Sequence, residues 1–165
     1  MSVVAAKVYD KEVIMAADSI LIKGSSKRNN NFTKILKLND MIIGSVGLAE
    51  ELSLMWHYME THKPAAANEK SILEFFSEFS QWKCGKGAGP GVENTYLMIF
   101  DGHLFEIERM LAFEIKDYSA IGAGEDFSNA ALYLGHSPRE AVKVACDLSC
   151  FVCEPIIEYS MERKV

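Results

Sequence analysis

Residues 2–19 read SVVAAKVYDKEVIMAADS. The stretch divides into two β-rich runs, 2–10 and 11–19, that meet at Asp10-Lys11, where a hairpin is expected. Residues 25–32, SSKRNNNF, are polar and turn-rich and read as a loop. Two more apolar runs follow, TKILKL (33–38) and MIIGSV (41–46), joined at Asn39-Asp40, a good turn pair. Four short strands therefore precede Gly47.

Helical spacing begins next. Leu48, Leu52, Met55, Trp56 and Met59 recur at that spacing in 48–63, and Pro64 marks the stop. A second helix is expected over 68–83, with Asn68 as N-cap and Ile72, Phe75, Phe76 and Phe79 on one face. Residues 84–94, CGKGAGPGVEN, form a glycine-rich loop. Strands then return. In TYLMIF-DG-HLFEIE the Asp101-Gly102 pair suits a two-residue turn with positive φ. Residues 112–124 read as continuing extended chain. A helix over 125–135 is closed by Gly135 as an αL cap. The last helix, 137–151, opens on Ser137, Pro138 and Glu140, a capping box with proline at its first turn. Pro155 lies beyond its end, and 156–161 (IIEYSM) reads as a final strand.

The order is strands, two helices, strands, two helices. Segregated runs favour an α+β fold over a parallel βαβ sheet. Two antiparallel sheets packed face to face, flanked by helix pairs, would bury every apolar stripe. No repeat or linker divides the chain, so one domain over 1–165 is expected, and 165 residues suffice for one sizeable core. A net charge of −6 argues against nucleic acid or an anionic membrane as partner. No apolar run approaches the ~20 residues of a membrane span, and no basic stretch with a long apolar region marks a secretory signal. Three of the four cysteines crowd into the last quarter, unlike a secreted disulfide framework. A reducing cytoplasm is the expected compartment.

Ser2 is the candidate nucleophile. A serine hydroxyl needs a base, yet no G-x-S-x-G elbow is present, and no triad context surrounds His57, His62, His103 or His136. An N-terminal serine supplies its own base, because its α-amine titrates near ~8. The condition is removal of Met1, which small second residues generally permit.

The stretch SVVAAKVYDKEVIMAADS resembles the mature start of proteasome β-subunits and of the HslV peptidase. In that family a Thr, occasionally Ser, begins the mature chain. Counted from Ser2, Asp18 and Lys34 fall at the spacing of the family's aspartate and catalytic lysine. GSVGLAEE resembles the glycine turn into the first long helix, AIGAGEDFSNAALYLG the "IGSG" turn and its helix, and AVKVACDLSCF the last helix with its aspartate, matched by Asp147. The matches span nearly the whole chain in order. The resemblance implies the four-layer αββα sandwich of N-terminal-nucleophile (Ntn) hydrolases. It also implies an endopeptidase acting on unfolded polypeptides through an acyl-enzyme on Ser2, in homo-oligomeric stacked rings fed by an ATP-dependent unfoldase.

In this frame Lys34 would lower the amine pKa and stabilise an alkoxide, and Asp18 would orient Lys34. The Gly47 N–H would donate into an oxyanion hole. Asp147 would fix Ser2 from the other side. No cofactor is required. The family's Na⁺ or Mg²⁺ site would fall near Asp147, Cys150 and Cys153, on backbone carbonyls. The chain departs from the family at several positions. Ser replaces Thr, losing a χ1-restricting methyl. Ala123 replaces the serine of "GSG", Cys150 replaces a serine or glycine, and the Lys34–Gly47 interval is one residue shorter than in many β-subunits, which could shift the oxyanion role to a neighbour.

Other motifs carry less. GKGAGPG has the wrong order for a phosphate loop, and GAGEDF has Phe127 where a dinucleotide site needs glycine. Cys146, Cys150 and Cys153 are spaced as one helical face and read as buried small hydrophobes rather than zinc ligands. Met55, Trp56 and Met59 read as core or ring interface. Two further readings share the fold: a catalytically silent structural ring subunit, and an amidohydrolase of small amides, for which the chain lacks pocket-shaping insertions.

Overall fold

The structure is a computed structural model and describes residues 1–28 and 32–163. The expected first hairpin is β1 (Val3–Val8) and β2 (Glu12–Ala17), paired antiparallel. Its apolar density has a structural cause. Along β1, Val4 and Ala6 point between two sheets, while Val3 and Ala5 point under helices, and all four are fully buried. A strand covered on both faces has no need of polar alternation.

A short hairpin, β3 (Ile22–Lys23) and β4 (Ser26–Lys27), follows. Its second strand falls within the polar stretch 25–32 expected as a loop; residues 29–31 of that stretch lie outside the described residues. Next come β5 (Ile35–Leu38) and β6 (Met41–Val46), turned by Asn39 and Asp40, both with positive φ. Helices α1 (Ala49–Met59) and α2 (Glu69–Cys84) come after it. The α1 helix ends well before Pro64, where the Thr61 and His62 N–H groups fold back onto the Tyr58 carbonyl. Asn68 caps α2, its side chain accepting from the Ser71 N–H at 3.0 Å.

The Asp101-Gly102 turn joins β7 (Thr95–Phe100) to β8 (His103–Glu108) as expected. The reading of 112–124 as one extended run is corrected. The chain forms β9 (Leu111–Ile115), turns at Lys116-Asp117, and enters the other sheet as β10 (Tyr118–Gly122). Two helices, α3 (Glu125–Tyr133) and α4 (Pro138–Leu148), precede β11 (Ile157–Glu162). The capping box at Ser137 and Glu140 is present. Because α4 stops at Leu148, Cys150 and Cys153 lie beyond it. The expected single face of three buried cysteines does not form, and Cys150 is exposed.

The result is the αββα sandwich. One sheet has the order β10-β1-β2-β11, the other β5-β6-β7-β8-β9, and all of these pairings are antiparallel. Between them lie Val4, Met15, Ile35, Ile42, Leu97 and Ile99. The outer faces are packed differently. Aromatic residues Tyr58, Phe75, Phe76 and Phe79 fill the space between α1/α2 and the second sheet. Alanines at 5, 16, 120, 131, 141 and 145 let α3/α4 sit close against the first. Met55 and Met59 are core residues, and Trp56 packs at the core's edge.

Gly44 stands in the middle of this sandwich. A Cβ there would lie 2.6 Å from Val4 Cγ1 and 2.9 Å from Ile35 Cγ2 and Met15 Sδ. Gly44→Ala is therefore expected to cost about 1–3 kcal/mol by overpacking, read as a lowered urea midpoint with an unchanged slope.

Candidate active site

Three strand ends converge where β1 begins. Ser2 is 7% exposed, and its carbonyl accepts from the Gly124 N–H at 3.4 Å. Gly122 faces the same carbonyl with φ +102°, and any Cβ there would run into the Ser2 oxygen. The glycines on either side of Ala123 therefore seat residue 2, through backbone alone.

Asp18 follows β2 and is fully buried. Its Oδ1 accepts from the Val3 N–H at 2.8 Å and its Oδ2 from the Ile20 N–H at 3.3 Å. Lys34, immediately before β5, is 2% exposed, and its Nζ lies 2.8 Å from both Asp18 oxygens. Nζ also donates to the Met1 carbonyl at 3.3 Å, across the peptide that joins Met1 to Ser2. Burial pushes the Lys34 pKa down from its ordinary value; the Asp18 charge and hydrogen bond oppose that shift without cancelling it. Beside this pair, burial and the Asp18 charge push the Cys146 thiol up to about 12, so it stays protonated.

Ser2 and Lys34 open onto a cleft of about 230 Å³. Gly47 lies on its rim with φ +130°. Ile20, Leu21, Ile22, Phe32, Leu48 and Leu52 supply apolar walls. Ser2, Asp18, Lys34 and Gly47, singled out from the sequence, are thus brought to one place.

Asp147 is not. It sits exposed on α4, accepting from Lys143 at 2.6 Å. The expectation that it fixes Ser2 is corrected: α4 buries Ala141, Val142 and Ala145, and Asp147, about 200° around the helix from Ala145, faces solvent. The implied cation site does not fit either. The Lys143 ammonium pairs with Asp147 and, at 3.2 Å, with Glu154, while the Lys27 ammonium lies 3.5 Å from Cys153 Sγ. The Cys153 carbonyl already accepts from the Ser19 N–H. Two resident cations disfavour a third, and among the described residues no group of three His, Cys, Asp or Glu side chains is placed for a metal.

No protein-family model matches the sequence, and no curated protein matches it. Solved structures do. A BPH from Thiobacillus denitrificans, in complex with epoxomicin, superposes with TM-score 0.89 over 99% of this chain and all of its own, at 18% identity. A second structure of that BPH gives 0.89 over 98% of each chain at 16% identity. Eukaryotic HslV from Trypanosoma brucei gives 0.75 over 98% of this chain and 99% of its own, at 18% identity. The chain has the HslV fold. At these identities the likeness establishes architecture, and the chemistry must come from the residues.

On this HslV-type frame the sequence reading missed a second buried polar cluster. Asn94, the last residue of the glycine-rich segment 84–94, is 2% exposed. Its Oδ1 accepts from the Leu48 N–H at 2.6 Å, and its Nδ2 donates to the Leu48 carbonyl at 2.9 Å and to Ser45 Oγ at 3.0 Å. Glu51 and Lys83, 3% and 2% exposed, pair at 2.6 Å. Glu51 also accepts from the Glu93 and Asn94 N–H groups and from the Tyr96 hydroxyl. Burial raises the Glu51 pKa, but Lys83 and the other three donors outweigh it and hold the carboxyl below its ordinary 4.5. No sequence pattern marks these residues, because they meet only across the fold.

Two outcomes are expected. Asp18→Ala should cost about 3–5 kcal/mol, the penalty of leaving Lys34 buried alone, and Asp18→Ala/Lys34→Met should recover part of it in urea unfolding. Since Glu51 has a depressed folded pKa, its stabilisation is present above pH 4.5 and is lost as pH falls through the folded value. The stability gap between wild type and Glu51→Gln should therefore narrow on acidification below pH 4.5, in urea midpoints measured across pH.

Proposed function

We propose that the protein is an Ntn endopeptidase that cleaves unfolded polypeptides through an acyl-enzyme on Ser2. The observation that carries the reading is the buried Asp18–Lys34 pair, which grips both sides of residue 2: Asp18 holds the Val3 N–H, and Lys34 holds the Met1 carbonyl. With Met1 removed, the Ser2 amine stands where that peptide group stood, beside the Lys34 ammonium. A neighbouring cation lowers the amine pKa and keeps it free to accept a proton.

The amine takes the hydroxyl proton, and Ser2 Oγ attacks the scissile carbonyl. The tetrahedral oxyanion is met by the Gly47 N–H. Collapse breaks the C–N bond, and the proton on the Ser2 amine passes to the departing peptide amine. Water then attacks the ester, giving its proton to the Ser2 amine. Oγ leaves with that proton, and the carboxylic product is released. No cofactor enters. The apolar cleft walls support acceptance of an apolar side chain next to the cut. Assembly into homo-oligomeric stacked rings, feeding by an ATP-dependent unfoldase and a cytoplasmic location belong to the same proposal. The chain's negative charge supports neither nucleic acid nor an anionic membrane as partner, and no helix among the described residues is long and apolar enough to cross a membrane.

A second reading, a silent structural ring subunit, is favoured by the outward turn of Asp147. Intact mass spectrometry separates the two. The peptidase should lack one Met residue's mass and should gain a covalent adduct with a peptide epoxyketone, which Ser2→Ala loses. A retained Met with no adduct leaves the structural reading.

A further inference from the structure

We infer that Asn94 is a positioning residue for the Ser45–Leu48 turn, and that the buried Glu51–Lys83 pair exists to hold Asn94. As a statement about catalysis this rests on the endopeptidase reading, in which Gly47 on that turn meets the oxyanion.

The turn lacks support of its own. Gly47 has φ +130°, a conformation glycine adopts at no steric cost and can also leave. Leu48, the residue before α1, has no side-chain oxygen to cap the helix. One amide replaces these supports. Asn94 engages the turn at Leu48 N–H, Leu48 C=O and Ser45 Oγ, bracketing Gly47 from both sides. The fit is close: a Cβ on Gly47 would collide with Asn94 Oδ1 and lie 2.8 Å from its Cγ. With the Leu48 N–H committed to Asn94, the turn is left with Gly47 as its donor on the cleft rim.

Asn94 can act as a clamp only if its own backbone is fixed. Glu51 provides this, from the first turn of the same helix the clamp begins. Glu51 Oε1 accepts from Asn94 N–H at 3.0 Å and from Tyr96 Oη at 2.9 Å, and its Oε2 accepts from Lys83 Nζ at 2.6 Å. Burial and the Glu51 charge hold the Tyr96 pKa well above its ordinary value, so Tyr96 remains a donor. Strand β7, helix α1 and helix α2 are thereby locked together around one residue. A buried ion pair is costly unless its hydrogen bonds are satisfied. Here four donors converge on one carboxylate, which makes the cluster rigid rather than merely tolerated.

Asn94→Ala is the test, read by two measurements. Backbone hydrogen exchange should rise at Leu48 and neighbouring turn amides while the β1–β2 ladder is unchanged. In peptide hydrolysis kcat should fall about 100-fold, the cost of an ~1 Å misplacement of a catalytic group, with KM within about twofold. If Asn94→Ala does not fold, Glu51→Gln and Glu51→Gln/Lys83→Met take its place: the single change should lower kcat, and the neutral pair should recover most of it. Unchanged exchange at Leu48 overturns the clamp whether or not the protein turns over. Faster exchange with unchanged kcat overturns its catalytic role. A wild type that neither cleaves peptide nor takes an epoxyketone sinks the endopeptidase reading and the catalytic role with it, and leaves the clamp to be judged by exchange alone.

Discussion

Asp18 directly follows a strand of one sheet and Lys34 directly precedes a strand of the other, so their ion pair ties the two sheets together at the end where β1 starts. Both side chains are almost wholly buried. Each would be costly alone, and the cost is offset because the carboxylate also takes two backbone N–H groups and the ammonium a backbone carbonyl. Those extra bonds run to Val3, Ile20 and Met1. Satisfying the pair therefore fixes the backbone on either side of Ser2. The Asp18 bond to the Val3 N–H serves both the pair and the proposed catalysis, while the Lys34 bond to the Met1 carbonyl exists only while Met1 is present.

Behind the cleft wall formed by Leu48 and Asn94 the same logic recurs with different residues. There Glu51 and Lys83 form a second buried pair, and its carboxylate also collects backbone N–H groups, those of Glu93 and Asn94. One pair sets the nucleophile's side, and the other sets the turn that faces it. Between them lie the apolar walls of the cleft. The two halves are linked: the Lys34 carbonyl accepts from the Ser45 N–H at 3.1 Å, Ser45 Oγ accepts from Asn94, and the Asn94 N–H is held by Glu51.

Much of this architecture is legible in the chain because local chemistry marks it. The Asn39-Asp40 and Asp101-Gly102 turns, the Asn68 cap and the Ser137 capping box each act over a few residues, and each is present. What local chemistry does not mark was misread or missed. The passage from β9 to β10 is an exchange of sheets, invisible in a run of extended residues. Asn94, Glu51 and Lys83 lie in unremarkable local contexts, and only the packing of α2 and β7 against α1 brings them together. Asp147 fails for the opposite reason. Its spacing fits a family pattern, but on a helix the direction of a side chain is set by its place in the turn, and Asp147 falls on the face opposite Ala145.

Register completes the account of Ser2. In β1 the side chains alternate between two environments: Val4 and Ala6 lie in the apolar space between the sheets, Val3 and Ala5 beneath α3 and α4. A slip of one residue would exchange these sets, since strand side chains repeat every two positions. Lys7, which lies on the Val3 side and donates to the His136 carbonyl at 3.4 Å, would then turn into the apolar space between the sheets. The slip would also move the Val3 N–H away from Asp18 Oδ1 and bring a different carbonyl against Gly122. Packing along six residues thus determines which residue faces Lys34, and it selects Ser2. The position of the proposed nucleophile follows from the register of β1, held by Lys7 on one face and by the Val3 N–H on Asp18.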